Sequence, residues 1–161
     1  RGSAFVGYLA GLYPHRAVWR TRLIEAACRD GALHLPILGQ SRSFGGSEEA
    51  IRGQYRPQVL DFPVQTTAAN ILQCGASETQ QAFIKARMIS RVVINTHDAF
   101  TVDSPAREFL AARTLAETHI ADNWYLRELV AHEQGRSFPL TFERAHAVYR
   151  GCQESDFKET R

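Results

Sequence analysis

The sequence predicts an α+β protein in which helices pack on an antiparallel sheet. Three observations carry that reading. Apolar residues recur three and four apart through several long segments, the period of a helix with one buried face. Between these lie short runs in which Leu33, Leu35 and Ile37, and later Val92, Ile94, Phe100 and Val102, alternate with other residues at the strand period. The later run is interrupted near its middle, as two strands meeting at a tight turn would be.

Taken in order, Phe5 to Leu12 and Arg16 to Arg29 read as helices separated by Pro14. The second carries Val18, Trp19, Arg22, Leu23 and Ala26 at helical spacing, and Asp30-Gly31 stops it. "ALHLPILGQSRSF" follows as a short strand and a turn at Gly39-Gln40, with Pro36 marking an edge or irregular strand. "GGSEE" is a flexible connector ending in an N-cap, Ser47, with Glu48 and Glu49 favourably placed in the first helical turn. That helix runs to about Tyr55 and closes before Pro57.

Pro63 suits the first position of another helix, with Val64, Ala68, Ile71, Leu72 and Ala76 as its apolar stripe. It extends to Ala86, although Gly75 weakens its middle. After the hairpin, Ser104-Pro105 opens a helix carrying Phe109, Leu110 and Leu115 and reaching Trp124 and Leu129. "SFPLTFE" reads as a last strand, near Phe138 to Phe142.

The composition bounds the function classes. With 161 residues, 44% hydrophobic and 22% charged, the chain has the size and balance of one folded domain. Its 19 basic and 17 acidic residues nearly cancel, so the net charge of +2 does not force a nucleic-acid or membrane reading. Cys28, Cys74 and Cys152 form no metal-ligand spacing and read as incidental thiols of a reducing compartment. No apolar run approaches the roughly 20 residues of a membrane span, and the opening residues lack a signal-peptide pattern. An intracellular protein is expected. The first residues look helical and carry no initiator Met, so the chain reads as a piece of something longer.

The residues with chemical potential are few. His97-Asp98 interrupts "VVINTHDAFTVD" at the tip of the expected hairpin. A carboxylate held there by two strands suits Mg²⁺, which prefers oxygen ligands and tolerates little geometric error. Asp is equally a turn former that bonds its own backbone, and His97 equally a satisfied interface histidine. Gln65, in the first turn of the helix expected to begin at Pro63, would sit among unpaired N–H groups and can donate and accept at base edges. A solvated amide is the plain alternative. Arg42, Arg52 and Arg56 suit phosphate as well as solvent. No G-x-S-x-G, phosphate-cradling glycine loop or H-E-x-x-H occurs.

The order of these parts carries more than any one of them. "YLAGLYPHRAVWRTRLIEAACRDGALHLPILGQSRSF", "VLDFPVQTTAANILQ", "INTHDAFTVDSP" and "FPLTFE" together resemble the C-terminal part of family A DNA polymerases, those like bacterial DNA polymerase I. There a "YP" helix pair leads to a T-x-x-G-R-x-R hairpin, then to a helix opening N-x-P-x-Q-G-T-A-A-D, then to a hairpin with V-H-D-E at its tip. The likeness covers nearly the whole chain. It implies that residues 1–58 are the distal part of the fingers and 59–161 the C-terminal half of the palm, whose antiparallel sheet carries the motif C β-hairpin.

By the same resemblance, Asp98 matches the motif C aspartate that binds the two catalytic Mg²⁺ ions, and His97 the histidine beside the primer end. Gln65 matches the glutamine that contacts the minor groove of the primer-template duplex. Arg42 matches the last arginine of the preceding hairpin, and Asp61 stands where the family has Asn. The implied reaction adds a dNTP to a primer 3′ end, the two metals clamping the attacking oxygen and the leaving pyrophosphate. Only one metal ligand falls within this chain. The other aspartate and the nucleotide-binding helix belong to the remainder of the polymerase upstream, so this piece alone is not expected to polymerise.

The chain also departs from the pattern. Ala99 replaces an acidic residue, Thr66 a Gly, Asn70 an Asp, and Gln40 and Ser41 two arginines. These changes suggest a divergent, viral or phage-type member. "HDAF" is nearer to the "HDSF" of single-subunit RNA polymerases, which gives one alternative. A polymerase-derived nucleic-acid binding module without catalysis, suggested by Ala99, is another.

Overall fold

Helix α1 (His15–Asp30) stops where Asp30-Gly31 predicts, because Gly31 takes the left-handed conformation (φ 64°) that ends a helix at low cost. The structure is a computed structural model and describes residues 15–96 and 99–132. The expected helix at Phe5 to Leu12 and the expected strand at Phe138 to Phe142 lie outside those residues, as does Cys152. The chain divides into two compact units, with the boundary between Thr67 and Ala68. Its class is α+β, with two antiparallel two-stranded sheets among the described residues.

In the first unit, β1 (Ala32–His34) pairs with β2 (Ser41–Ser43), with Leu33 opposite Arg42. The strand is shorter than its alternation predicts. It ends before Leu35 and Pro36, and Leu35 N–H donates to the Gln40 carbonyl at 2.8 Å to close the connecting loop. Helix α2 (Glu48–Arg52) has the predicted cap, the Ser47 hydroxyl accepting from the Ala50 N–H at 3.3 Å. It stops at Arg52 rather than Tyr55, with Gly53 as its C-cap.

The next helix corrects the reading of Pro63. Helix α3 (Arg56–Lys85) begins seven residues earlier, and Pro63 lies inside it. Pro57 occupies the second helical position, where no carbonyl awaits its missing N–H. Pro63 instead cannot donate to the Val59 carbonyl, so one rung of the ladder is absent. Ile24, Ala27, Leu33, Phe44, Ile51 and Val59 form the core of this unit, with Leu23, Ala26 and Leu60 packed against it. Val18 and Trp19, expected on the buried side of α1, are exposed. On α3 the expected stripe also fails at its start, since Val64 is 54% exposed.

In the second unit the buried line of α3 is Ala76, Thr79 and Phe83. Its C-terminus is a left-handed cap at Arg87 (φ 55°), with Met88 N–H donating to the Phe83 carbonyl and Arg87 N–H to that of Ile84. The hairpin follows as predicted: β3 (Arg91–Asn95) pairs antiparallel with β4 (Phe100–Asp103). Val92 faces Val102 and Ile94 faces Thr101, so Val93 is an extra residue in a bulge.

The root of the hairpin is fixed by one carboxylate. A 3₁₀ turn (Ala106–Glu108) carries Glu108, whose Oε2 accepts from the Ser90 hydroxyl at 2.7 Å and from the backbone N–H groups of Ile89 (2.9 Å) and Ser90 (3.0 Å). Gln80 of α3 adds a second anchor, its Oε1 accepting from the Val92 N–H at 2.8 Å. The hydroxyl and backbone bonds hold the Glu108 carboxyl below the ordinary glutamate range.

The helix expected from Ser104 through Leu129 is two helices, α4 (Phe109–Ala121) and α5 (Trp124–His132). The break is made by fully buried Asn123. Its Nδ2 donates to the carbonyls of Ile71 (3.1 Å), His119 (3.2 Å) and Ile120 (3.3 Å), while its Oδ1 accepts from the Leu126 N–H at 3.0 Å. One amide therefore ends α4, caps α5 and ties both to α3. Glu78 of α3 reinforces the joint, accepting from the Trp124 N–H at 2.9 Å and lying 3.2 Å from His119 Nδ1.

Gly75 explains why α4 lies so near. A Cβ there would stand 3.0 Å from the His119 carbonyl oxygen and 3.1 Å from the Ile120 Cα, both backbone atoms that cannot swing aside. Gly75→Ala gains about 1 kcal/mol of helix propensity but incurs overpacking of about 1–3 kcal/mol. A net loss of stability is expected, and a denaturant midpoint equal to or above wild type would contradict the close crossing.

A depressed folded-state pKa makes the Glu108 contribution complete above the unfolded value near 4.5 and removes it as pH falls through the folded value. The melting temperature of wild type should therefore exceed that of Glu108→Gln by a constant margin near neutral pH. That margin should shrink below pH 4.5. A margin that grows on acidification would refute the anchoring role.

Candidate nucleic-acid interface

Arg42, Gln65 and Asp61 all fall in the first unit, and their side chains are exposed. Arg42 is central in β2, whose three residues are all exposed. Its guanidinium is nevertheless directed. Nη2 donates to Gln58 Oε1 on α3 at 2.9 Å, and Cζ lies 5.7 Å from the centroid of the Phe44 ring, which is buried in the core. Among the described residues no carboxylate pairs with Arg42.

Gln65 is not where the sequence put it. In a helix that begins at Arg56, position 65 is the tenth residue, beyond the first turn where free N–H groups and the dipole favour anions. At that position only its side chain, and no free backbone N–H, is open to a ligand. That side chain is already engaged, Nε2 donating to Asp61 Oδ1 at 3.3 Å one turn earlier. The minor groove displays mainly acceptors, so a glutamine reading it must donate. Asp61 takes one of the two available N–H groups and adds a negative charge beside the site. The asparagine that the resemblance expects at this position would add none.

Of the other cations, Arg52 is paired with Glu48 at 2.7 Å and so offers little to phosphate. Arg91 reaches Asp103 at 3.4 Å across the hairpin root.

His97 and Asp98 lie outside the described residues. Their sequence neighbours Thr96 and Ala99 are joined, both the N–H and the hydroxyl of Thr96 donating to the Ala99 carbonyl at 2.8 Å. The described residues contain no group of three or more His, Cys, Asp or Glu side chains that could hold a metal ion. By themselves they do not compose a Mg²⁺ site. No helix of the described residues is long and apolar enough to cross a membrane.

Sequence reasoning missed Gln58, Gln80, Glu108 and Asn123. Gln58 shares a helical face with Asp61 and Gln65, at spacings of three and seven, only because the helix begins at Arg56, so a start at Pro63 hid it. Asn123 resembles an N-cap, preceding the apolar "WYL". Glu108 and Gln80 act on partners 18 and 12 positions away, which no local pattern encodes.

No protein-family model matches the chain, and no curated protein matches it. Among solved structures, the POL domain of Pol1 from M. smegmatis, in complex with DNA primer-template and dNTP, is similar with a TM-score of 0.58 and 22% identity. The match covers 65% of this chain and 19% of that one. The chain thus has the fold of part of a DNA polymerase domain and spans about a fifth of that relative's length.

Proposed function

We propose that the chain is part of a template-directed DNA polymerase of the family A type, adding dNTPs to a primer 3′ end. The observation that carries the reading is the likeness of its fold to a POL domain whose structure holds primer-template DNA and dNTP. The independent order of "GQSRSF", "FPVQTTAAN" and "INTHDAF" along the same chain supports it. Residues 1–58 are assigned to the distal fingers and 59–161 to the palm. Asp98 is the proposed Mg²⁺ ligand of this chain and His97 the residue beside the primer end. Arg42, Gln65 and Asp61 face the duplex.

The chemistry asked of these residues is placement. Arg42 carries a fixed positive charge suited to a phosphate, and Gln65 an amide suited to minor-groove acceptors. Contacts of this kind test the shape of a base pair without reading its identity, since minor-groove acceptors are shared by A·T and T·A. The "HDAF" stretch favours one rival, a single-subunit RNA polymerase, and the choice of sugar separates the two.

In the complete parent protein, primer extension should proceed with deoxynucleotides in preference to ribonucleotides. Asp98→Asn should reduce it more than about 100-fold, beyond the 10–100-fold usual for residues that only support a metal ligand. Full activity of that variant would remove Asp98 from the site, and a preference for ribonucleotides would favour the rival.

Asp61→Asn should tighten binding of a primer-template duplex about threefold to tenfold, by removing one negative charge from a phosphate-facing edge. A titration at fixed, low salt measures it. Weaker binding would mean that the carboxylate aids the contact instead of opposing it.

A further inference from the structure

We propose that Gln58 is the positioning residue for Arg42, holding its guanidinium on the duplex-facing edge of the first unit while leaving its charge intact. The inference rests on the reading of Arg42 as a duplex contact and names the side chain on which that contact depends.

Five other arginines among the described residues are held by carboxylates. Arg29, Arg52, Arg91, Arg113 and Arg127 each reach a carboxylate, of Asp30, Glu48, Asp103, Glu117 and Asp122 respectively, at 2.7–3.4 Å. Such pairing fixes an arginine but cancels its charge. Arg42 is fixed without cancellation: its acceptor is the neutral amide oxygen of Gln58 at 2.9 Å, and its second support is the ring of Phe44. Phe44 is 4% exposed and Gln58 stands on α3, so both supports belong to rigid parts of the unit.

A guanidinium has five N–H donors, and the Gln58 bond uses one. The rest can make the paired bonds that phosphate oxygens accept best. Long side chains lose rotamer freedom when they bind, and a tether made in advance removes part of that cost. Gln58, Asp61 and Gln65 lie at spacings of three and four along α3, hence on one face. The tether thus brings the cation of β2 to the face that carries Gln65.

The test uses the full 161-residue chain and a primer-template DNA duplex, with affinity measured across a range of salt concentrations. Arg42→Ala should weaken binding and lower the salt slope by about 0.9, the signature of one lost phosphate contact. Gln58→Leu should weaken binding about fivefold in the wild-type background, the size of one orienting hydrogen bond. It should have no further effect in the Arg42→Ala background. Gln58→Glu, which keeps the tether but supplies a neutralising charge, should lower the salt slope as Arg42→Ala does.

Wild-type affinity for Gln58→Leu beside a weakened Arg42→Ala would overturn the positioning role and leave the duplex reading of Arg42 standing. Equal weakening by Gln58→Leu in both backgrounds would overturn it differently, by making Gln58 a direct contact. An Arg42→Ala variant with unchanged affinity and slope would remove the duplex reading of Arg42, and this inference with it.

Discussion

The second unit depends on a side chain that is absent. Because Gly75 has no Cβ, the backbone of α4 at His119 and Ile120 approaches α3 to a distance at which a Cβ would force the two helices apart by a few tenths of an ångström. That approach lets one amide, Asn123, reach the Ile71 carbonyl of α3 together with the end of α4. It also puts the Glu78 carboxylate against the Trp124 N–H, where a new helix begins. A glycine that weakens a helix by local propensity is here the condition for packing two helices and starting a third. Tertiary contact outweighs the propensity cost of about 1 kcal/mol.

What was legible in the sequence follows from the range of each interaction. Ser47 as a cap, Gly31 as a helix stop and the alternation from Val92 to Val102 act over a few residues, and all three appear in the structure. Pro63 misled because a proline fits a first helical position by its local geometry alone. The packing of Val59 and Leu60 with the first unit's core draws the helix start back to Arg56 and keeps Pro63 inside the helix. The break at Asn123 was hidden for the opposite reason, since its main partner is 52 positions away.

The candidate site divides along the same line. Arg42, Asp61 and Gln65 were identifiable from motif order, and all three are exposed side chains of one unit. Their partners were not identifiable. Gln58 is 16 positions from Arg42, and only the fold joins them. The Asp61–Gln65 bond is an i, i+4 pair only because the helix begins at Arg56, since a helix beginning at Pro63 leaves Asp61 outside it.

The Glu108 anchor has a mechanical meaning. The hairpin is gripped near Ser90 and Val92, and its strands run on to Thr96 and Ala99, which are bonded to each other. At roughly 3.3 Å per residue the two grips are about 7 Å apart, and Thr96 is about 13 Å beyond the second. Two separated grips fix a direction as well as a position. Glu108 and Gln80, each distant in sequence from the strand it holds, thus set the line along which the hairpin leaves its root.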